Sequence, residues 1–265
     1  MKNENLAKIK EIELEILNYF IDICERHHLT YYLFYGTLLG CIRHKGFIPW
    51  DDDIDVVMPP DDYVKFLKIM EKGKSNKYYL QNINNTKYCT FIFSKIRKYH
   101  TTMVETELNY LPFKKGLNID VFPLLRYPKG RFKQILFMYR LRLAALLVNR
   151  DLKGKTFKDK MIYYLLHLFP RSLINHIVSK KMNKLLAYNG DYDEYRIVHY
   201  TSLDKNWFNP KVMTFEKQNV IVPEEYDKVL TKLYGDYMTP PKESERIGHG
   251  KGNLILSFTK DYDEL

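Results

Sequence analysis

The sequence predicts an α+β fold: a mixed β-sheet core flanked by helices, with a helical insertion ahead of a C-terminal part. Three observations carry that prediction. Residues 5–26 place Leu6, Ile9, Ile12, Ile16, Phe20 and Ile23 at steps of three and four, the mark of an amphipathic helix. Short apolar runs bounded by Gly and Pro then recur as far as residue 125, as strands do. Residues 129–187 lose the strand signals and read as two or three basic helices.

After the first helix, "TYYLFYG" (30–36) reads as a strand ending at Gly36, and "TLLGCIRHKG" (37–46) as a short helix closed by Gly46. "IDVVM" (54–58) is a strand. "PPDDYVKFLKIMEKG" (59–73) is a helix with Asp61 or Asp62 as N-cap and Gly73 past its end. Strands are expected at 78–83, 89–98 and 101–106, the last two joined by a tight turn at Tyr99-His100, and another over 116–125, ended by Pro123. A short β region (195–222) and a helix over 223–235, with Pro at its start and Gly at its end, complete the chain. The expected organisation is a catalytic core at 1–128, a basic helical insertion at 129–190, and a part at 191–265 that packs back on the core.

Composition narrows the function. The chain has 265 residues, 42 Lys and Arg against 32 Asp and Glu, and a net charge of +10, which favours an anionic partner. The three cysteines lie far apart and read as reduced core thiols of a cytoplasmic protein. The charged start does not read as a signal peptide, and no apolar run is long enough to span a bilayer. The stretch 131–155 carries seven Lys or Arg and one Asp among large apolar residues. Packing of a helical subdomain accounts for much of that apolar content. The basic residues beside Leu136, Phe137 and Leu143 also suit peripheral contact with an anionic membrane at its inner face, if those side chains point outward. No groove-reading motif points to nucleic acid.

The sharpest signal is "GFIPWDDDIDVVM" (46–58), four aspartates within five positions running into a β-forming segment. In a strand Asp53 and Asp55 project together, while Ile54 and Val56 face the core. Two partly buried carboxylates about 7 Å apart repel each other. A hard divalent cation, Mg²⁺ or Mn²⁺ in its place, removes that penalty. Asp120, apolar on both sides in "LNIDVFPL", is the expected third ligand on a neighbouring strand; Asp51 and Asp52 read as turn or cap residues. Upstream, Gly36 and Thr37 end a strand and open a helix, an arrangement that offers N–H groups and a hydroxyl to a phosphate. The ordered set of small-residue turn, Asp-x-Asp and later lone Asp is the nucleotidyltransferase pattern.

"YYLFYGTLLGCIRHKGFIPWDDDIDVVMPPDDY" (31–63) resembles the signature of the LicD family of phosphocholine transferases, to which fukutin and fukutin-related protein are akin. "FSKIRK", "TTMVET", "GLNIDVFPL" and "YGDYMTPP" followed by His249 resemble further blocks of that family. The resemblance implies a nucleotidyltransferase-like fold and transfer of phosphocholine from CDP-choline to a sugar hydroxyl of a cell-surface glycan, teichoic acid or lipopolysaccharide, or its lipid-linked precursor, with release of CMP.

On that reading Asp53, Asp55 and Asp120 hold the metal, and Asp120 is also a candidate to take the acceptor proton. Gly36 and Thr37 hold the diphosphate. Arg43, Lys45, Lys95 and Arg97 are candidate phosphate clamps, Lys95 and Arg97 being two apart in a strand and so on one side of it. His249 is a further candidate. Tyr31, Tyr32 and Tyr35 read as packing residues rather than as an aromatic cage for the choline ammonium. Two other readings stay open: transfer of another CDP-activated phospho-alcohol such as ribitol phosphate, and a basic binding protein without catalysis.

Overall fold

The computed structural model describes residues 3–73, 75–152, 156–197, 201–246 and 254–265. Its centre is a five-stranded sheet in the order β1 (Tyr32–Leu33), β2 (Asp55–Met58), β6 (Asn118–Pro123), β4 (Ser94–Lys98), β3 (Tyr78–Gln81). The β2–β6 pair is parallel and the other neighbours are antiparallel, so the sheet is mixed, as expected.

The alternation of β4 sorts the two faces. Ser94, Ile96 and Lys98 share one side with Ile119 and Val121 of β6. Helices α1 (Asn3–Arg26) and α3 (Pro60–Lys72) cover that side. Tyr63 of α3 shares a 2.7 Å hydrogen bond with Ser94, and Glu15 of α1 pairs with Lys98 and accepts from Tyr78 at 2.7 Å. Ile96, Ile119, Val121, Val56 and Phe66 are fully buried there. The opposite face carries Lys95, Arg97, Asn118 and Asp120.

Several boundaries differ from the sequence reading. The helix expected over 37–46 is α2 (Tyr35–His44), and Lys45, not Gly46, is the left-handed residue that ends it, with φ 60°. Gly46 instead makes a close approach: a Cβ there would lie 2.1 Å from Oε1 of Glu216, which accepts the Phe47 N–H and would have to move aside. In α3 the N-cap is Pro59; Asp61 and Asp62 sit inside the first turn, where the helix dipole favours them. Residues 89–93 do not join β4. The start of the segment is held from α6 (Arg171–Leu186) instead: Arg171 donates to Lys87 O, just ahead of it, at 2.9 Å and to Cys89 O. After the turn at His100 (φ 56°), β5 (Thr102–Glu105) leaves the sheet and pairs with β12 (Leu254–Ser257), because β3 and β6 already occupy both edges of β4.

The basic segment forms three helices, α4 (Arg131–Val148), α5 (Phe157–His167) and α6. α4 packs through Phe137, Leu141, Ala144 and Val148, all buried, and Leu143 leans on the same core. Leu136, Phe137 and Leu143 are thus not the outward-facing set. The exposed stripe is Phe132, Ile135, Tyr139 and Leu146, with Arg142 between. A second sheet, β7 (Leu125–Pro128), β8 (Tyr192–Arg196) and β9 (Ser202–Asp204), follows, then the hairpin β10 (Pro210–Phe215) and β11 (Gln218–Pro223). The last helix, α7, runs Tyr226–Tyr234, shorter than 223–235 because Pro223 closes β11; Gly235 (φ 69°) ends it. Among the described residues no helix is long and apolar enough to cross a membrane.

Candidate active site

Strand register lays the site out before any side chain is considered. Asp55 of β2 is paired with Asp120 of β6, Asp120 with Lys95 of β4, and Lys95 with Gln81 of β3. Paired residues share a face, so these four form one polar row across the sheet. A second row beside it is Asn118, Arg97 and Tyr79. Lys95, Arg97, Asn118 and Asp120 line a cavity of about 300 Å³ together with Asp52 and Asp53.

Within the row, charge is partly matched. Lys95 Nζ donates to both oxygens of Asp120, at 2.6 and 2.8 Å, and Asn118 Nδ2 donates to one of them at 2.7 Å. Lys95 also lies 5.4 Å from the ring centres of Phe91 and Phe93. Arg97 is fully enclosed; its guanidinium donates to Gln81 and to Gly116 O. Both predicted clamps therefore reach the cavity, but each also holds a neighbour: Lys95 steadies Asp120, and Arg97 ties β4 to β3 and to the segment before β6.

The aspartate run enters from the other side. Asp55 is buried, its N–H donates to Thr37 Oγ1 at 2.8 Å, and its carbonyl accepts the Phe34 N–H at 2.9 Å. The Thr37 hydroxyl, expected to meet a phosphate, thus accepts from the backbone and locks Asp55 in place. Gly36, in the first turn of α2, faces Asp51: a Cβ there would come within 2.6 Å of Oδ2 of Asp51. The positive end of the α2 dipole therefore meets a carboxylate of the chain itself. Asp51 and Asp52 are buried, not open turn residues. Lys10 of α1 braces the approach to the run, donating to Ile48 O at 2.9 Å and Pro49 O at 3.0 Å.

Burial pushes the Asp55 carboxyl well above the ordinary range, with Asp53 and Asp120 adding to it and Lys95 opposing. Glu13 behaves likewise. It is fully buried on α1, neither carboxylate oxygen has a hydrogen-bond partner, and burial followed by the charge of Asp53 raises its pKa well above normal. The sequence reading missed Glu13, although a signal existed. It interrupts the buried stripe Ile9, Ile12, Ile16, Leu17, Phe20 at a core-facing position. Tyr234, at the end of α7 and 43% exposed as a residue, is a second missed neighbour: partial desolvation of its hydroxyl and then the charges of Asp55, Asp51 and Asp53 raise its pKa.

So much buried negative charge, opposed by Lys95 and Lys10, is a donor set of hard oxygens that suits a divalent cation. The cage is not pre-closed, however. Asp53, Asp55 and Asp120 do not bring one oxygen each within 4.8 Å of one another; among the described residues only His100, Asp261 and Glu264, an open surface group, do so.

Other predicted site residues lie apart. Arg43 and Lys45 sit at the C-terminal end of α2, away from Gly36 and Thr37 at its start. Arg43 donates to Tyr237 O at 2.8 Å and to His44, and Lys45 is exposed. His249 lies outside the described residues. Tyr31 and Tyr32 are buried in the core, in keeping with their reading as packing residues.

Residues 28–140 match the model of the LicD/FKTN/FKRP nucleotidyltransferase domain, a span that contains all three aspartates and both rows of the site. Those residues are a LicD/FKTN/FKRP nucleotidyltransferase domain. Likeness extends beyond that domain. The lipopolysaccharide cholinephosphotransferase LicD of Haemophilus influenzae is 28% identical over 273 residues, covering 97% of this chain and all of the relative. An uncharacterized protein of Rickettsia typhi is 24% identical over 140 residues, half of this chain and 44% of its own length. A second uncharacterized protein, from Rickettsia prowazekii, is 35% identical over 57 residues, about a fifth of each chain. The polar rows come from β2, β6, β4 and β3, all inside the matched domain.

Proposed function

We propose that the protein transfers phosphocholine from CDP-choline to a sugar hydroxyl of a cell-surface glycan, teichoic acid or lipopolysaccharide, or its lipid-linked precursor. The observation that carries this reading is the near full-length likeness to a lipopolysaccharide cholinephosphotransferase. The gathered Asp53, Asp55, Asp120 and Lys95 agree with it. In the reaction a bond forms between the acceptor oxygen and the phosphorus that carries choline. The bond from that phosphorus to the bridging oxygen breaks, CMP departs with the electron pair, and the proton of the acceptor hydroxyl passes to water or to a carboxylate of the site, for which Asp120 is the candidate.

Asp53, Asp55 and Asp120 are the residues that would hold Mg²⁺. When bound, the ion supplies charge neutralisation at the diphosphate. Lys95 and Arg97 place fixed positive charge on the same face, where it lowers the energy of the leaving phosphate. Thr37 and Lys95 position Asp55 and Asp120 respectively. CDP-choline with Mg²⁺ is expected to raise the melting temperature, by about 2.7 kcal/mol of stabilisation at a hundredfold excess over Kd. CMP release should follow CDP-choline in a panel of CDP-activated donors with a glycan precursor as acceptor. Protection and turnover by CDP-ribitol alone would replace phosphocholine by ribitol phosphate as the group transferred.

The exposed face of the helical layer favours work at a membrane. Among the described residues, ten of the large apolar side chains that stand exposed lie between Phe132 and Leu173, among them Phe132, Ile135, Tyr164 and Leu168. Arg131, Lys133 and Arg142 flank them on α4, and the combination fits an anionic bilayer, each cation contributing about 1 kcal/mol near the surface. Co-sedimentation with anionic vesicles at low salt is expected, with loss at high salt and in Arg140→Glu/Arg142→Glu and Phe132→Ser/Ile135→Ser. Equally weak binding of wild type to anionic and neutral vesicles would return these helices to a packing role.

A further inference from the structure

The polar row of the sheet does not stop at the catalytic cavity. Gln81 and Tyr79, paired with Lys95 and Arg97, continue it across β3 into a second cavity of about 530 Å³. Phe113 lines both spaces, so the two adjoin at that residue. Arg97, which lines the first, donates through Nε to Gln81, which lines the second.

This second space has aromatic walls and a surplus of cations. The rings of Tyr79 and Tyr99 are 4.5 Å apart between centroids, and Lys114 lies 4.6 Å from the centre of Tyr99. Lys87 and Lys115 complete a trio of ammonium groups against the single carboxylate of Asp263. Lys115 is the informative one. It is only 3% exposed, and its Nζ sits 3.6 Å from the ring centre of Tyr262. No carboxylate among the described residues lies within ion-pair distance of it. Burial also pulls its pKa down, with Asp263 opposing. A surface lysine would be satisfied by water; an enclosed ammonium facing a cavity is a place for an anion.

We propose that this second cavity receives the acceptor, as a phosphorylated sugar of the glycan or its precursor. The inference rests on the transferase reading above. Charge decides against the donor. CDP-choline carries its negative charge on the diphosphate, offset in part by choline, and the first cavity already matches it with Lys95, Arg97 and the cation its carboxylates would hold. Three further lysines call for further negative charge, which a phosphorylated acceptor supplies. The paired tyrosines suit the apolar face of a sugar ring, and the volume is that of a small-ligand site. A hydroxyl of a sugar held here can face phosphorus in the adjoining cavity past Phe113.

The test uses glucose 6-phosphate and glucose as probes, and CDP-choline with Mg²⁺ as the donor arm, each titrated into the full chain and followed by ligand-observed NMR. Wild type is expected to bind glucose 6-phosphate at least about tenfold more tightly than glucose, as one or more charge-assisted hydrogen bonds require. Lys115→Met is expected to erase that preference, Lys115→Arg to keep it, and Lys115→Met to leave the CDP-choline affinity in place. If Lys115→Met unfolds, the exposed Lys114→Met/Lys87→Met carries the same expectation. Equal binding of the two sugars overturns the inference. So does loss of CDP-choline affinity in the Met variants, which would put the donor in this cavity. A protein that selects the phosphorylated sugar yet ignores CDP-choline retains the anion site and loses the phosphocholine reading, so the two failures are told apart.

Discussion

Asp55→Asn is expected to lower transfer by three orders of magnitude or more while leaving the protein folded. A lost ligand to the diphosphate-bridging ion forfeits several kcal/mol of leaving-group stabilisation, at about 1.4 kcal/mol per tenfold. The fold survives because Asp55 is held through its backbone: its N–H goes to Thr37 and its carbonyl to the Phe34 N–H, and neither needs the carboxylate. The same substitution is expected to stabilise the cation-free protein. Asp55 and Glu13 both have folded pKa values well above their ordinary ones. A carboxyl raised in this way costs nothing below its unfolded pKa. Its penalty grows as pH rises through the interval up to the folded pKa and is complete above it. Cation-free wild type should therefore gain stability as pH falls from neutral toward about 5, and Asp55→Asn and Glu13→Gln should each flatten that slope. Melting curves against pH, with and without Mg²⁺, together with CMP release, check all of this. Near-normal turnover of Asp55→Asn in Mg²⁺ would remove Asp55 from the site.

Arg171→Ala is expected to produce the largest loss of stability. Arg171, at the start of α6, is 7% exposed and pairs with buried Asp151 at 2.9 Å. It also donates to the carbonyls of Lys87 and Cys89 in the segment leading to β4. Its removal leaves Asp151 facing Arg150 at 3.4 Å and His167 at 3.5 Å, and strips the buried Cys89 carbonyl of its guanidinium donor, while Lys87 O keeps Asn175 Nδ2 at 3.0 Å. Breaking such a pair costs about 3–5 kcal/mol. At about 2–4 °C per kcal/mol for a chain of this size, the melting temperature should fall by roughly 6–20 °C. A drop of a degree or two would mean that water replaces the guanidinium and that the helical layer is held by its apolar contacts alone.

The helices and most strands were legible from the sequence because their signals are local. The stripe from Ile9 to Phe20, the Pro and Gly that bracket α3, and the apolar runs at β2 and β6 each carry their periodicity within a dozen residues. The three aspartates stood out as candidates for a related reason: a carboxylate inside an apolar strand is costly wherever the chain goes, so its presence alone asks for a compensating charge. Composition also identified the helical layer at 129–187. Which strand pairs with which is not local, and tertiary structure alone decided it. Only the sheet order makes Lys95 a partner of Asp120, carries β5 to β12, and leaves the Cys89 carbonyl to be met by Arg171. The same holds for direction. The sequence 131–155 lists apolar and basic residues without saying which face outward, and packing on the core turned Phe137 in and Phe132 out. Glu13, Lys10 and Tyr234 join the site from α1 and α7, dozens to hundreds of residues from the aspartates. Their roles come from the field of groups that the fold alone brings near, and a charge acts through space rather than along the chain.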